Sequence, residues 1–208
     1  MYMDKPNGYT ETEQKILAAA RDVFLRKGLY GARMQEIADA AGINKALLHY
    51  YFRNKDKLFD AIFNEVAHSF IPAALGILEG EEEPETKIRA FVTFYVNLLK
   101  EHPHLPGFII NEVLQNPGRI ARLHDVLHGM GQSRLIGQLQ QAAAEGRARP
   151  FAADHLLVNL LSLCIFPFLA RPIVMTVFGF DDAAFSRFLE ERKNVIPEFM
   201  INSIHYEK

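Results

Sequence analysis

Apolar residues recur along almost the whole chain at intervals of three and four, and no stretch alternates with the period of two that a strand requires. The pattern predicts an all-α protein of about nine helices. Ile16, Leu17, Ala20, Val23 and Phe24 mark one face of a first helix. Thr10 or Thr12 can cap it, Thr10 with Glu13 makes a capping box, and Gly28 is placed to stop it. Ile37, Ala38, Ala41, Ile43 and Leu48 are then spaced so that two short helices enclose a small apolar wedge. Gly42 falls at the corner, where a tight turn needs positive φ and no side-chain bulk. Asn44 caps the second helix of this pair, giving a helix-turn-helix.

Asn54 caps a fourth helix striped by Leu58, Phe59, Ile62, Phe63, Val66 and Phe70, which Pro72 bends or ends. The acidic stretch GEEEPET, 80–86, reads as a solvated turn. A helix follows with Ile88, Phe91, Val92, Tyr95, Leu98 and Leu99 inward, broken by Pro103 and Pro106. Phe108 to Gln115 is a short helix, and Arg119 to Glu145 a long helical region open to interruption at Gly129 and Gly131 and closed by Gly146 and Pro150. Asp154 caps an apolar helix, and Asp181 or Asp182 the last one, with a kink at Pro197. Residues 1–9 read as a mobile tail.

The apolar stretch 156–180 resembles a membrane span, but its longest uncharged run, Leu156 to Ala170, is 15 residues where a span needs about 20. It reads instead as a helix buried on nearly all sides, with core on one face and a partner on the other. Together with the stripe in the last helix it offers more apolar surface than one domain covers. A symmetric dimer is therefore expected, through Leu160, Leu163, Phe185, Phe188, Leu189, Ile196 and Phe199.

The continuation of the helix-turn-helix, LLHYYFRNKDKLF, sharpens the picture. Ile37, Ala38, Ala41, Gly42, Ile43, Leu48, Tyr51, Phe52, Lys55 and Leu58 match a signature running from T-x-x-x-I-A through A-G-V-S to L-Y-x-Y-F-x-x-K-x-x-L. Over its first 60 or so residues the chain resembles the TetR family of bacterial transcriptional regulators. The resemblance implies a DNA-reading domain over 1–53 and a helical effector-binding and dimerisation domain over 54–208. It also implies DNA contacts from Arg33, Asn44, Lys45, Ala46, Leu47, His49, Tyr50 and Lys55. Two positions depart from the pattern. Ala32 and Arg33 stand where the family usually has a Thr or Ser cap, and His49 stands where it usually has Tyr; both positions often touch phosphate in the family.

The residues themselves support a recognition helix. Leu47, His49 and Tyr50 have no packing role on a helix whose inner face is Leu48 and Tyr51. Lys55 opens a helix, where a cation opposes the macrodipole unless a phosphate lies near.

The net charge of −2 does not suggest a nucleic-acid binder until the chain is divided. Residues 1–60 carry ten Lys and Arg against eight Asp and Glu, and the remainder 13 against 17, so the positive balance lies with the helix-turn-helix. The 49% hydrophobic and 23% charged content is that of a soluble globular protein. Cys164, the single cysteine, excludes an internal disulfide framework and reads as a buried, inert thiol. The first residues lack the apolar core of a secretory signal, which points to the cytoplasm.

The family places a ligand pocket among its C-terminal helices, so the aromatics here imply a small, largely apolar effector. Phe63, Phe70, Phe91, Tyr95, Leu98, Phe108, Leu127 and Phe166 are the expected lining, with Glu112 as an odd polar insert. His102 with His104, and His124 with His128, have metal-compatible spacing, but no Cys or second acidic ligand is near and no metal or other cofactor is expected. No nucleophile motif, phosphate-cradling glycine loop or carboxylate pair argues for an enzyme. The expected function is a repressor released from a palindromic operator by its effector. The rival is a helical carrier of apolar molecules with a vestigial DNA reader.

Overall fold

A computed structural model of the protein describes residues 9–121 and 124–205. The described residues hold twelve helical segments and no strand: α1 Glu11–Gly31, α2 Met34–Ala40, α3 Lys45–Tyr51, α4 Lys55–Glu79, α5 Pro84–Glu101, α6 Leu105–Gln115, α7 Pro117–Ile120, α8 His124–Gly131, α9 Arg134–Ala144, α10 Ala153–Leu169, α11 Arg171–Phe178 and α12 Asp182–Ile204. The all-α class stands. The segments outnumber the nine expected because the 119–145 region divides and the apolar stretch turns a corner. The tail expected over 1–9 lies outside the described residues except for Tyr9.

The chain forms two compact units, Met1–Ser69 with Gly107–Arg119, and Phe70–Pro106 with Ile120–Lys208. The first therefore reaches beyond residue 53 and takes in the start of α4 and nearly all of α6. Packing explains this: Phe24 meets Phe59 edge-on at 5.0 Å, and Phe59 lies 5.1 Å from Phe108. Leu58, Phe59, Ile62 and Phe63 bury the α4 stripe within this core.

In the first unit, the Thr10 hydroxyl accepts from Glu13 N at 3.3 Å while the Glu13 carboxylate accepts from Thr10 N at 2.7 Å. At Gly28, φ is 66°; the backbone leaves the helix there and resumes for a last turn to Gly31, so the glycine kinks α1 before ending it. Gly42, also at φ 66°, makes the corner between α2 and α3. There Gly42 N donates to Asp39 O and Ile43 N to Ala38 O. Ile37, Ala38 and Leu48 are fully buried in the wedge, with Ala41 and Ile43 half-buried at its edge.

In the second unit, α5 packs on α12, α10 and α9. Pro72 does not end α4, which continues to Glu79 with Ala74 and Leu78 buried; this apolar face offsets the lost backbone bond. Pro106 likewise sits in the first turn of α6, a position that tolerates proline, and so does not break the chain there. Asp154 is not a cap. Ala152 holds that position, and among the described residues the Asp154 carboxylate accepts from the adjacent His155 N alone. Asp181 does cap α12, accepting from Ala184 N at 2.7 Å, and α12 runs unbroken through Pro197.

The acidic turn is not simply solvated. Arg134 Nη1 pairs with Glu81 at 2.7 Å, Arg134 N donates to Glu79, and Gln138 Nε2 donates to Glu82 O. The Arg134 bond holds the Glu81 carboxyl below its ordinary value. Beneath this clasp the fully buried Lys87 donates from Nζ to Gln138 Oε1 at 2.7 Å. Burial, with Arg134 nearby, lowers the Lys87 amine from its ordinary value.

Candidate nucleic-acid interface and effector site

Helix α3 is fixed at its first turn and along its inner face. The Asn44 side chain accepts from Leu47 N at 2.8 Å, fixing the first turn, while Leu48 anchors the inner face. The opposite face is left to solvent: Lys45, Ala46, Leu47 and His49 are exposed, and Tyr50 is 79% exposed with its ring edge-on to Tyr51 at 5.3 Å. Exposed Tyr, Leu and Lys on a short helix are side chains of the kind that base edges and phosphates in a major groove accept. Arg33 is exposed at the start of α2 and makes no side-chain cap, as its departure from the Thr or Ser pattern implies.

Lys55 is less free than expected. Its Nζ donates to the Ala32 carbonyl at 3.2 Å, tying the start of α4 to the α1–α2 junction. An ammonium has three donors, so two are left for a phosphate. Asn54 caps α4 through Lys57 N at 2.8 Å. Arg53, one of the basic residues that give this end of the chain its positive balance, is exposed, and Tyr30, 69% exposed at the end of α1, carries no sequence signal. Tyr30 follows the Gly28 kink, and no periodicity extends across such a break.

The expected pocket residues fall into two sets. Phe63, Phe108 and Glu112 belong to the first unit, where the two rings lie 6.1 Å apart and Glu112 is buried, accepting from Asn116 Nδ2 at 2.7 Å. Glu112 is thus no surface carboxylate. Phe70, Phe91, Tyr95, Leu98 and Leu127 belong to the second unit. There Phe91 stacks on Tyr95 at 5.2 Å, Phe70 faces the His102 ring at 5.5 Å, Leu98 is buried and Leu127 half-buried. Phe166 leaves the pocket set: it is 59% exposed on α10.

The expected dimer residues also divide. Leu160, Phe185, Leu189 and Ile196 are buried inside their own unit and cannot face a partner. Leu163 and Phe188 are half-buried, and Phe199 is 61% exposed. The stretch 156–180 is two helices, α10 and α11, bent by 77° at Ala170, and is exposed along one side rather than buried all round. Exposed apolar residues lie on all three last helices: Val158, Phe166 and Leu169 on α10, Ile173, Val177 and Phe178 on α11, and Val195 and Phe199 on α12. Because both sides of α10 are apolar, sequence spacing did not distinguish its core face from its open one. His124 and His128 stack at 5.5 Å, and among the described residues no group of three metal-ligating side chains assembles.

Comparison with known proteins agrees with this layout. Residues 16–62 match the family model for bacterial regulatory proteins of the tetR family, and residues 84–198 match the tetracyclin repressor-like C-terminal domain. The HTH-type transcriptional repressor NicS of Pseudomonas putida is 29% identical over 160 residues, covering 74% of each chain. The HTH-type transcriptional regulator RutR of Escherichia coli O157:H7 is 28% identical over 149 residues, 70% of this chain and 68% of its own. A transcriptional regulator structure from Streptomyces coelicolor shares the fold at a TM-score of 0.68 and 20% identity, covering 93% of this chain and 98% of its own. With a reader matched at one end and a regulatory domain matched over more than half its length, the chain belongs to the TetR family of DNA-binding transcriptional regulators.

Proposed function

We propose that the protein is a homodimeric repressor that binds a palindromic operator through α3 and is released by a small, largely apolar effector bound in its second unit. The observation that carries the reading is α3 itself: capped, anchored by one buried leucine, and presenting Lys45, Ala46, Leu47, His49 and Tyr50 outward. Phosphate contacts from Arg33, Asn44 and Lys55 would set its register, and contacts from Leu47 and Tyr50 its sequence preference. The exposed apolar residues of α10 and α12 support pairing of two chains through those helices, and the repressor named among the relatives supports repression as the mode of control. Such a regulator works on chromosomal DNA in the bacterial cytoplasm.

Release requires an effector that binds the DNA-free conformation better than the DNA-bound one. Helix α4 is one continuous helix from the reader into the second unit, and so offers a mechanical route by which a filled pocket changes reader spacing. A gel shift with the DNA flanking its own gene tests the reading. A specific shift reversed by an apolar effector is the expected result, and no shift with any flanking DNA would favour the carrier alternative.

A further inference from the structure

The open face of α12 carries charge as well as apolar surface. Arg187, Glu191, Val195 and Phe199 are all exposed and follow one another at intervals of four, so they form one row along the helix. Val158, Ser162 and Phe166 make a second exposed row at the same spacing on the neighbouring α10. Every other charged side chain of α12 has a partner within the chain. Asp182 pairs with Arg171, Glu190 with Lys100 and Lys193, and Glu198 with Arg89, while Arg192 donates to the Leu163 carbonyl at 2.6 Å. Among the described residues Arg187 and Glu191 pair with nothing, although only four positions separate them. A cation N-terminal to an anion is the weaker order for such a pair on one helix.

The row thus holds one unused charge of each sign, leading into the exposed Val195 and Phe199. Turned end for end, it is complementary to itself. A twofold axis passing between the two charged positions sets Arg187 against Glu191 of the partner subunit, and Glu191 against the partner's Arg187, so that each copy gives and receives one ion pair. A row of a single sign would repel its own copy.

We infer that Arg187 and Glu191 select the partner of this face: reciprocal ion pairs fix the register of α12 on a second copy of this chain and turn away similar chains that lack the arrangement. This rests on the dimer reading above and adds the choice of partner. Exposed pairs beside an apolar seam contribute more to that choice than to affinity.

Charge reversal in the full chain tests it. Arg187→Glu and Glu191→Arg, each alone, turn both attractive contacts into repulsive ones, and sedimentation equilibrium is expected to show a dimer weakened roughly ten- to a hundredfold. Mixed in equal amounts, the two variants should form a heterodimer in preference to either homodimer, because each then meets the opposite charge; native mass spectrometry of chains differing in mass counts the species. The double variant should dimerise within several-fold of wild type and should not exchange with it. The differences should shrink as salt is raised. Circular dichroism checks that each variant keeps its helical fold, and if a reversal variant does not, Arg187→Gln and Glu191→Gln take its place, each expected to weaken the dimer several-fold at low salt. Single variants that dimerise as wild type does, a mixture without preference for the heterodimer, or a double variant that stays monomeric overturns the inference. If Phe199→Asp prevents dimerisation while the charge variants have no effect, the dimer reading stands and the partner-selecting role falls. A wild-type protein that is monomeric at micromolar concentration overturns both, leaving the face to a different partner.

Discussion

The Nδ1 atom of His49 lies 3.4 Å from the carbonyl oxygen of Arg53. A carbonyl only accepts, so Nδ1 is the donor and the neutral ring turns a lone pair outward on Nε2. That lone pair repels a phosphate, whereas a Tyr hydroxyl at the same place donates to one. His49→Tyr is therefore expected to strengthen operator binding several-fold. Equal affinities for the two proteins, measured by fluorescence anisotropy, would show that His49 meets no phosphate.

Lys55 makes a structural bond with the atom that the proposed function assigns to a phosphate. Loss of its bond to the Ala32 carbonyl should lower stability by about 1 kcal/mol in Lys55→Ala, since the group is only part-buried. Loss of a phosphate contact should also weaken DNA binding uniformly across sequences and lower the salt slope by about 1. A thermal shift without a change in salt slope would make Lys55 a structural tie alone.

The exposed and buried faces of the last helices respond differently. Phe199→Asp, on the open face of α12, should prevent dimerisation and operator binding while the helical fold persists. Leu189→Ala, in the core, should cost about 2–5 kcal/mol by opening a cavity. Light scattering with circular dichroism separates the two, and a Phe199→Asp dimer would contradict the assignment.

The clasp on the acidic turn has its own signature. Gln138→Leu leaves the buried Lys87 amine without its acceptor and should cost on the order of 1–3 kcal/mol. Adding Lys87→Met should recover most of that loss, because an apolar pair needs no partner. Additive losses in denaturant unfolding would rule out the coupling.

The reader was legible in the sequence because its determinants are local: Asn44 and Gly42 act within a few residues of themselves, and Leu48 has one inner face. The helical class followed from periodicity for the same reason. What escaped was set by distant partners. Lys87 is charged yet buried because Gln138, far along the chain, accepts from it. The acidic turn is bound because Arg134 reaches it. Leu160 and Val158 are equally apolar, and only packing against α5 and α12 puts one inside and the other out. Arg192 lacked any sequence signal, since its guanidinium is held by a backbone carbonyl.

The central claim is that two copies of α3 read a two-fold symmetric operator, and footprinting with binding-site selection tests it most directly. Wild-type protein should protect two inverted half-sites separated by about one helical turn or a small multiple of it. Tyr50→Ala should select a changed half-site sequence with the spacing kept, if Tyr50 meets bases and the dimer sets the distance as proposed. Protection of a single half-site, or the same selected sequence for both proteins, would contradict the account.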